Sequence, residues 1–208
     1  SDIANLTGLE VLEIDSPSTL AMAKYQLQSR LKSIRLKNVS GLPRFDSELL
    51  ESLEAVGLTT LEDRVGQAPR LTRVALEGPA AGQISKISGS FTELSLRGQG
   101  KVPAEVWKHP RLRSLYLEGM RLPETPREIV QLSELKSLTL RKVGLLKVGP
   151  LPPGLQILDL SGNRLSTLEL SGYPNLEVLR LANNCLRQCP LLSHLKLRAL
   201  QLEHNDLK

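Results

Sequence analysis

Few residues in this chain could carry chemistry, and their spacing limits what they can do. There are three histidines, His109, His194 and His204, and two cysteines, Cys185 and Cys189. Nucleophilic catalysis needs a serine or cysteine placed beside a histidine that a third group orients, and none of the three histidines has such a nucleophile placed for it. No two histidines are spaced for a shared metal, and two cysteines are too few for a cysteine-rich site. The segment "GQG" at 98–100 lacks the third glycine and the following helix that a phosphate loop requires. No catalytic residue, metal or cofactor is therefore expected. Two cysteines are also too few for a disulfide framework. Two free thiols behaving as small hydrophobes are expected. The alternative is a bond between them, which would imply an oxidising compartment.

The asparagines are more informative, because three of them recur in register. In "LPPGLQILDLSGNRL" leucines at 155, 158, 160 and 165 surround Asn163. The same frame returns as "LEVLRLANNCL" from Leu176, with Asn184, and as "LRALQLEHNDL" from Leu197, with Asn205. Moving backwards, units begin at Leu135, Leu112, Phe91, Leu71, Leu50, Leu31 and Leu9, which makes ten units spaced 19–23 residues apart. Counting the first apolar residue of each unit as position 1, positions 4 and 6 alternate as in a short strand with one buried face. A strand of that length cannot bury its face alone, so consecutive units must stack.

The pattern resembles the leucine-rich repeat family over essentially the whole chain. The resemblance implies an α/β fold of one domain, residues 1–208. It would be a right-handed solenoid, or horseshoe, with a concave parallel β-sheet and mostly short irregular or 3-10 segments on the convex side. It also implies that the position-9 asparagine is structural. Its side chain faces inward and satisfies the backbone where the chain turns off the strand, making a ladder from coil to coil. Here the ladder is confined to Asn163, Asn184 and Asn205. The seven earlier units carry Pro17, Val39, Leu58, Pro79, Gln99, Met120 and Val143 at that place. Those coils must satisfy their turns otherwise and are expected to be less regular, with Met120 and Val143 packed. Register also turns Cys185 outward and Cys189 inward. Longer helical turns are expected at "FDSELLESL", capped by Asp46 or Ser47, and at "TPREIVQL", capped by Thr125 with Pro126 first in the helix. "TLAMAKYQLQ" is a weaker helix candidate. The absence of cysteine-bearing caps at either end leads to the expectation that the chain is part of a longer array.

Composition fits this reading. Apolar residues make up 40% of the 208 residues and charged residues 24%, as in ordinary soluble protein. Aromatics reach only 3%, so the core must be aliphatic. No apolar run approaches the roughly 20 residues of a membrane-spanning helix. The net charge of +5 mildly favours acidic partners.

Function in such a solenoid is expected to be recognition by the concave face. Positions 5 and 7 carry mixed signs, whereas a nucleic-acid groove would present a stripe of one sign. The candidate patch is central: Arg97, Arg113, Tyr116, Glu118, Thr139, Arg141 and Lys142. Tyrosine and arginine are the types enriched at interface hot spots, and Tyr116 is the one aromatic the register places on the exposed sheet face. Trp107 lies in a return, either packed or offering a lateral contact. Two sequons, at Asn5 and Asn38, are candidate glycosylation sites. Together these favour a non-enzymatic module that binds a protein partner, extracellular or at the cell surface, in the manner of a Toll-receptor-like or secreted innate-immune ectodomain. Two alternatives stand: an intracellular scaffold or bacterial effector-type substrate-recognition domain, and a sensor of an acidic polymer such as nucleic acid or glycan.

Overall fold

The computed structural model describes residues 5–22, 24–27, 30–61, 65 and 68–208 and, except at 17–20, their side chains. The chain divides into two compact units, Ser1–Gly98 and Gln99–Lys208.

The first unit holds five strands: β1 (Val11–Ala21), β2 (Ser33–Ser40), β3 (Ser52–Val56), β4 (Arg73–Glu77) and β5 (Glu93–Arg97). Each pairs in parallel with the next. The second holds β6 (Ser114–Glu118), β7 (Ser137–Arg141), β8 (Ile157–Asp159), β9 (Val178–Arg180) and β10 (Ala199–Gln201), again paired in parallel in chain order. The pairing register matches the sequence frame: Glu13, Arg35, Glu54, Ala75 and Ser95 align across one unit, and Tyr116, Thr139, Asp159, Arg180 and Gln201 across the other.

The core is the stack of leucine rows that this register creates. Position 1 is fully buried from Leu31 and Leu50 through Phe91 to Leu155 and Leu176, and positions 4 and 6 are buried at Ile34 and Leu36, Leu115 and Leu117, Leu158 and Leu160. Branched aliphatic side chains stacked along the ladder fill most of the interior, with Phe91 the one aromatic in the position-1 row, which accounts for the low aromatic content.

The turns after the strands follow the asparagines. Asn163 Oδ1 accepts the backbone N–H groups of Val143 and Leu145, both at 3.1 Å, and its amide donates to the carbonyls of Leu140 (2.7 Å) and Leu160 (2.8 Å). Asn184 bonds Leu165 N, Leu160 O and Leu181 O, and Asn205 bonds Leu186 N, Leu181 O and Leu202 O. Earlier coils lack the asparagine and pair backbone to backbone instead, as in Gly57 N–H to Glu77 O (3.0 Å) and Leu122 N–H to Val143 O (2.8 Å). Side chains from elsewhere complete the set. Gln83 accepts from Leu61 N–H (3.1 Å) and donates to Thr59 O (3.0 Å), and Tyr173 Oη accepts from Leu151 N–H (2.9 Å). Met120 and Val143 are buried as expected, as are Val39 and Leu58. Pro79 and Gln99 are exposed, and Ala80 and Ala81 take the inward places beside Pro79.

Two expectations for the returns fail, and a third, the helical turn at "TPREIVQL", holds with a different cap. "FDSELLESL" forms no helix: Asp46 Oδ1 accepts Glu48 N–H at 3.0 Å in a local turn, because Leu50 and Leu53 are needed at positions 1 and 4 of the next strand. The segment after Thr125 is a single 3-10 turn, Arg127–Gln131, preceded by Pro126 without a side-chain cap. The Thr125 hydroxyl is engaged elsewhere, accepting Gly149 N–H of the next coil at 2.7 Å. "TLAMAKYQLQ" is extended rather than helical at its start, since Leu20 and Ala21 continue β1 opposite Val39 and Ser40 after a register shift; residues 23 and 28 lie outside the described set. Among the described residues 3-10 segments also occur at Pro79–Lys86, which kinks at Gln83, and at Ala104–Lys108.

Candidate functional site

Outward side chains on the strands come from positions 3, 5 and 7, because successive residues of a strand point to opposite faces. In the first unit several of these side chains pair with each other. Arg35 Nε lies 2.8 Å from Glu54 and its Nη1 3.1 Å from Glu13, Lys37 lies 3.7 Å from Asp15, and Arg97 lies 3.8 Å from Glu77. The hydrogen bond and charge of Glu54, followed by the charge of Glu13, push the Arg35 guanidinium further toward its charged form. All these pairs are exposed, so solvent screens them and they contribute little to stability. Their effect is to cancel charge along the face.

The second unit is arranged differently. Tyr116 and Glu118 project from the same face of β6, and the tyrosine hydroxyl donates to the Glu118 carboxylate. Lys142 Nζ approaches the same carboxylate at 3.8 Å. Across the ladder Thr139 faces Tyr116 and Arg141 faces Glu118. Arg141 is half-buried, and its Nε is the one buried side-chain nitrogen or oxygen among the described residues with no hydrogen-bond partner. Such an atom carries a desolvation penalty of about 1–3 kcal/mol. On β8, Asp159 lies opposite Thr139, and its Oδ1 accepts Ser161 N–H at 3.0 Å. Asp159 and Ser161 occupy outward positions yet are only 7% and 8% exposed. Lys142 N–H donates to Ser161 O at 3.2 Å, so the residue after β7 packs against this turn.

Five of the seven patch residues thus come together: Tyr116, Glu118, Thr139, Arg141 and Lys142. Arg113 stands apart at the entry to β6, where it pairs with Glu134 at 3.3 Å. Arg97 belongs to the first unit and to its row of ion pairs. Sequence reasoning missed Asp159 and Ser161 as members of the site. The signal was present as an aspartate two residues before a serine, a spacing at which a carboxylate closes a turn on the backbone N–H.

The remaining candidates are scattered. Both cysteines are free and exposed. Cys189 was expected to point inward, but the buried place in the preceding return is taken by Leu170, two residues later in the frame, while Leu168 is only half-buried. His194 Nε2 lies 3.0 Å from Leu170 O, and hydrogen bonds from the Ser171 and Leu170 N–H groups hold the nearby Glu169 carboxyl below its usual range. Asn5 and Asn38 are both exposed; Asn38 sits in the left-handed region at φ 54 and donates to Ser16 O at 3.0 Å.

A family model described as Leucine Rich Repeat matches residues 154–174, the segment in which Asn163 makes the first rung of the ladder. That segment carries the leucine-rich repeat signature, and the chain as a whole has the leucine-rich repeat fold. Solved structures share the fold over nearly its full length. The ectodomain of the plant membrane receptor kinase GASSHO1/SCHENGEN3 from Arabidopsis thaliana, in complex with CASPARIAN STRIP INTEGRITY FACTOR 2, matches with TM-score 0.62 and 27% identity over 98% of this chain and 28% of that one. The functional domain of InlJ from Listeria monocytogenes matches with TM-score 0.65 and 21% identity over 99% of this chain and 51% of that one. The TLR13–ssRNA13 complex matches with TM-score 0.57 and 17% identity over 97% of this chain and 42% of that one. The leucine-rich repeat chain thus spans between about a quarter and a half of these neighbours. No curated protein matches it. Among the described residues no helix is long and apolar enough to cross a membrane.

Proposed function

We propose that this leucine-rich repeat protein is a non-enzymatic recognition module, part of an extracellular receptor or secreted immune protein. In this reading it binds a protein partner through the strand face of its second unit. The observation that carries the reading is Arg141. Its Nε is buried without a partner, beside a tyrosine and a carboxylate already held in place by a hydrogen bond. A preorganised Tyr–Glu–Arg group with an unmet donor is suited to a partner's carboxylate or backbone carbonyl, and such residues are over-represented among interface hot spots. The resemblance to a receptor-kinase ectodomain solved with a bound factor supports the receptor context.

Site-specific photo-crosslinking tests it. With a benzophenone amino acid at Thr139, which lies between Tyr116 and Asp159, the module should form a defined adduct with a secreted or cell-surface protein. The double substitution Tyr116→Ala/Arg141→Ala should remove that adduct. An adduct of equal yield in the double variant would exclude the face. The extracellular setting has its own check: expression through a eukaryotic secretory pathway should give a mass decrease on glycosidase treatment, and unoccupied Asn5 and Asn38 would count against it.

A further inference from the structure

The second unit carries another concavity, away from the strand face. After β5 and β6 the chain passes Lys101 and Arg121, which pair as an isolated parallel bridge, and each return then forms a 3-10 turn, Ala104–Lys108 and Arg127–Gln131. Between these two returns lies a cleft of about 700 Å³. Trp107, 6% exposed, and Leu122, 8% exposed, line its apolar part. Lys101, Lys108 and Arg121 line the rest, with Glu128 as the one carboxylate. Among the described residues none of the three cations is held in an ion pair. On the first unit's strand face, by contrast, Arg35, Lys37 and Arg97 each have a carboxylate beside them.

We propose that this cleft is a second docking site, one that takes an acidic segment of a protein partner and seats one apolar side chain of that segment against Trp107. The volume lies within the roughly 300–1,000 Å³ of sites that enclose small ligands or single anchoring groups. The excess of three cations over one carboxylate sets the sign of the partner. The apolar floor and the presence of Glu128 favour a peptide over nucleic acid, whose backbone calls for a stripe of one sign. The site is separate from the strand face and does not depend on the role proposed for Arg141.

Trp107 is the only tryptophan of the chain, so its emission reports on this cleft alone. The folded protein is titrated with the tryptophan-free hexapeptide acetyl-Glu-Asp-Leu-Phe-Glu-Asp-amide and with a control in which lysine replaces each acidic residue. The acidic peptide should give a saturable emission change that weakens at least tenfold between 50 and 500 mM salt, on the order expected when exposed charges are screened. The basic control should give none. The triple substitution Lys101→Glu/Lys108→Glu/Arg121→Glu, at three exposed positions, should abolish the response with an unchanged circular dichroism spectrum, while Arg141→Ala should leave it intact. Equal binding of the basic peptide, no response to the acidic one, or an undiminished response in the triple variant overturns the proposal. A ten-nucleotide oligothymidylate that shifts the emission at lower concentration than the peptide overturns it in favour of nucleic acid.

Discussion

Substituting Asn163 by alanine removes four hydrogen bonds of 3.1 Å or shorter at once, and the structure fixes what is left behind. Oδ1 serves the N–H groups of Val143 and Leu145, and the amide serves the carbonyls of Leu140 and Leu160. All four are backbone groups of the turn, and the asparagine that serves them is only 7% exposed. An orphaned buried group costs about 1–3 kcal/mol. Water entering the vacated polar space recovers part of that, so a cost of about 1 kcal/mol per group gives a loss of about 4 kcal/mol. Set against a total stability of roughly 5–15 kcal/mol, that is a large share. It corresponds to a drop in Tm of about 8–16 °C for a protein of this length. Asn205 provides the internal comparison. It makes the same kinds of bond but is half-buried, with solvent access to its partners, so Asn205→Ala should cost about 1–2 kcal/mol. Denaturant titration followed by circular dichroism measures both, and hydrogen exchange should show protection lost at Val143 and Leu145 in Asn163→Ala. A loss below about 1 kcal/mol for Asn163→Ala, or equal losses for the two variants, would refute the view that the buried backbone depends on this side chain.

Three further outcomes follow from the same structure. Met120→Asn writes the family's asparagine into a coil that lacks it, yet should destabilise by about 2–4 kcal/mol, because Met120 is 1% exposed and Leu122 N–H already bonds Val143 O; a gain in denaturation midpoint would show that the irregular turns retain unmet groups. Lys142→Gly should raise Tm by up to about 2–4 °C, since a non-glycine residue in the left-handed region costs about 1 kcal/mol or more and Lys142 sits at φ 51, while the exposed pair with Glu118 that is lost offsets no more than about 1 kcal/mol; a lower Tm would contradict this. Both cysteines are exposed and free, so native-state alkylation should add two equivalents by mass, whereas a protein that takes up none without reductant would contain the bond that the structure lacks.

The strands and the core were legible because one periodicity encodes both. Leucine at positions 1, 4 and 6 names the buried row and fixes the register, and the strand pairings at positions 3 to 7 agree with it, the shifted end of β1 at Leu20 and Ala21 being the exception. The returns were not legible, for a physical reason. A local signal such as Thr125 before Pro126 reads as a helix cap, but the hydroxyl has a competing donor in Gly149 N–H of the next coil, about twenty residues away and invisible to a window of local sequence. The same holds for Gln83, which serves Leu61 and Thr59. In a stacked array each coil's unmet backbone groups are answered by its neighbour, so side-chain roles in the returns are set by the period and not by the adjacent residues.

That dependence on neighbours also explains why the candidate site was only partly found. Arg97 and Arg141 occupy the same place in their units and look equivalent in sequence. Arg97 has Glu77 across the ladder in the preceding strand. Arg141 likewise faces a carboxylate, Glu118, but that carboxylate is already taken by the Tyr116 hydroxyl and approached by Lys142. On its other side the position is filled by Ser161, whose own N–H is bound to Asp159. Arg141 is therefore left with an unmet Nε by the prior commitments of residues on β6, on β8 and in the turns after β7 and β8. A side chain becomes available to a partner here through the competition around it. Tyr116→Phe isolates this point: it frees Glu118 for Arg141, so it should weaken partner binding through Arg141 while leaving the area of the face unchanged. Equal partner binding by Tyr116→Phe and the unsubstituted protein would mean that Arg141 is not held ready by this competition.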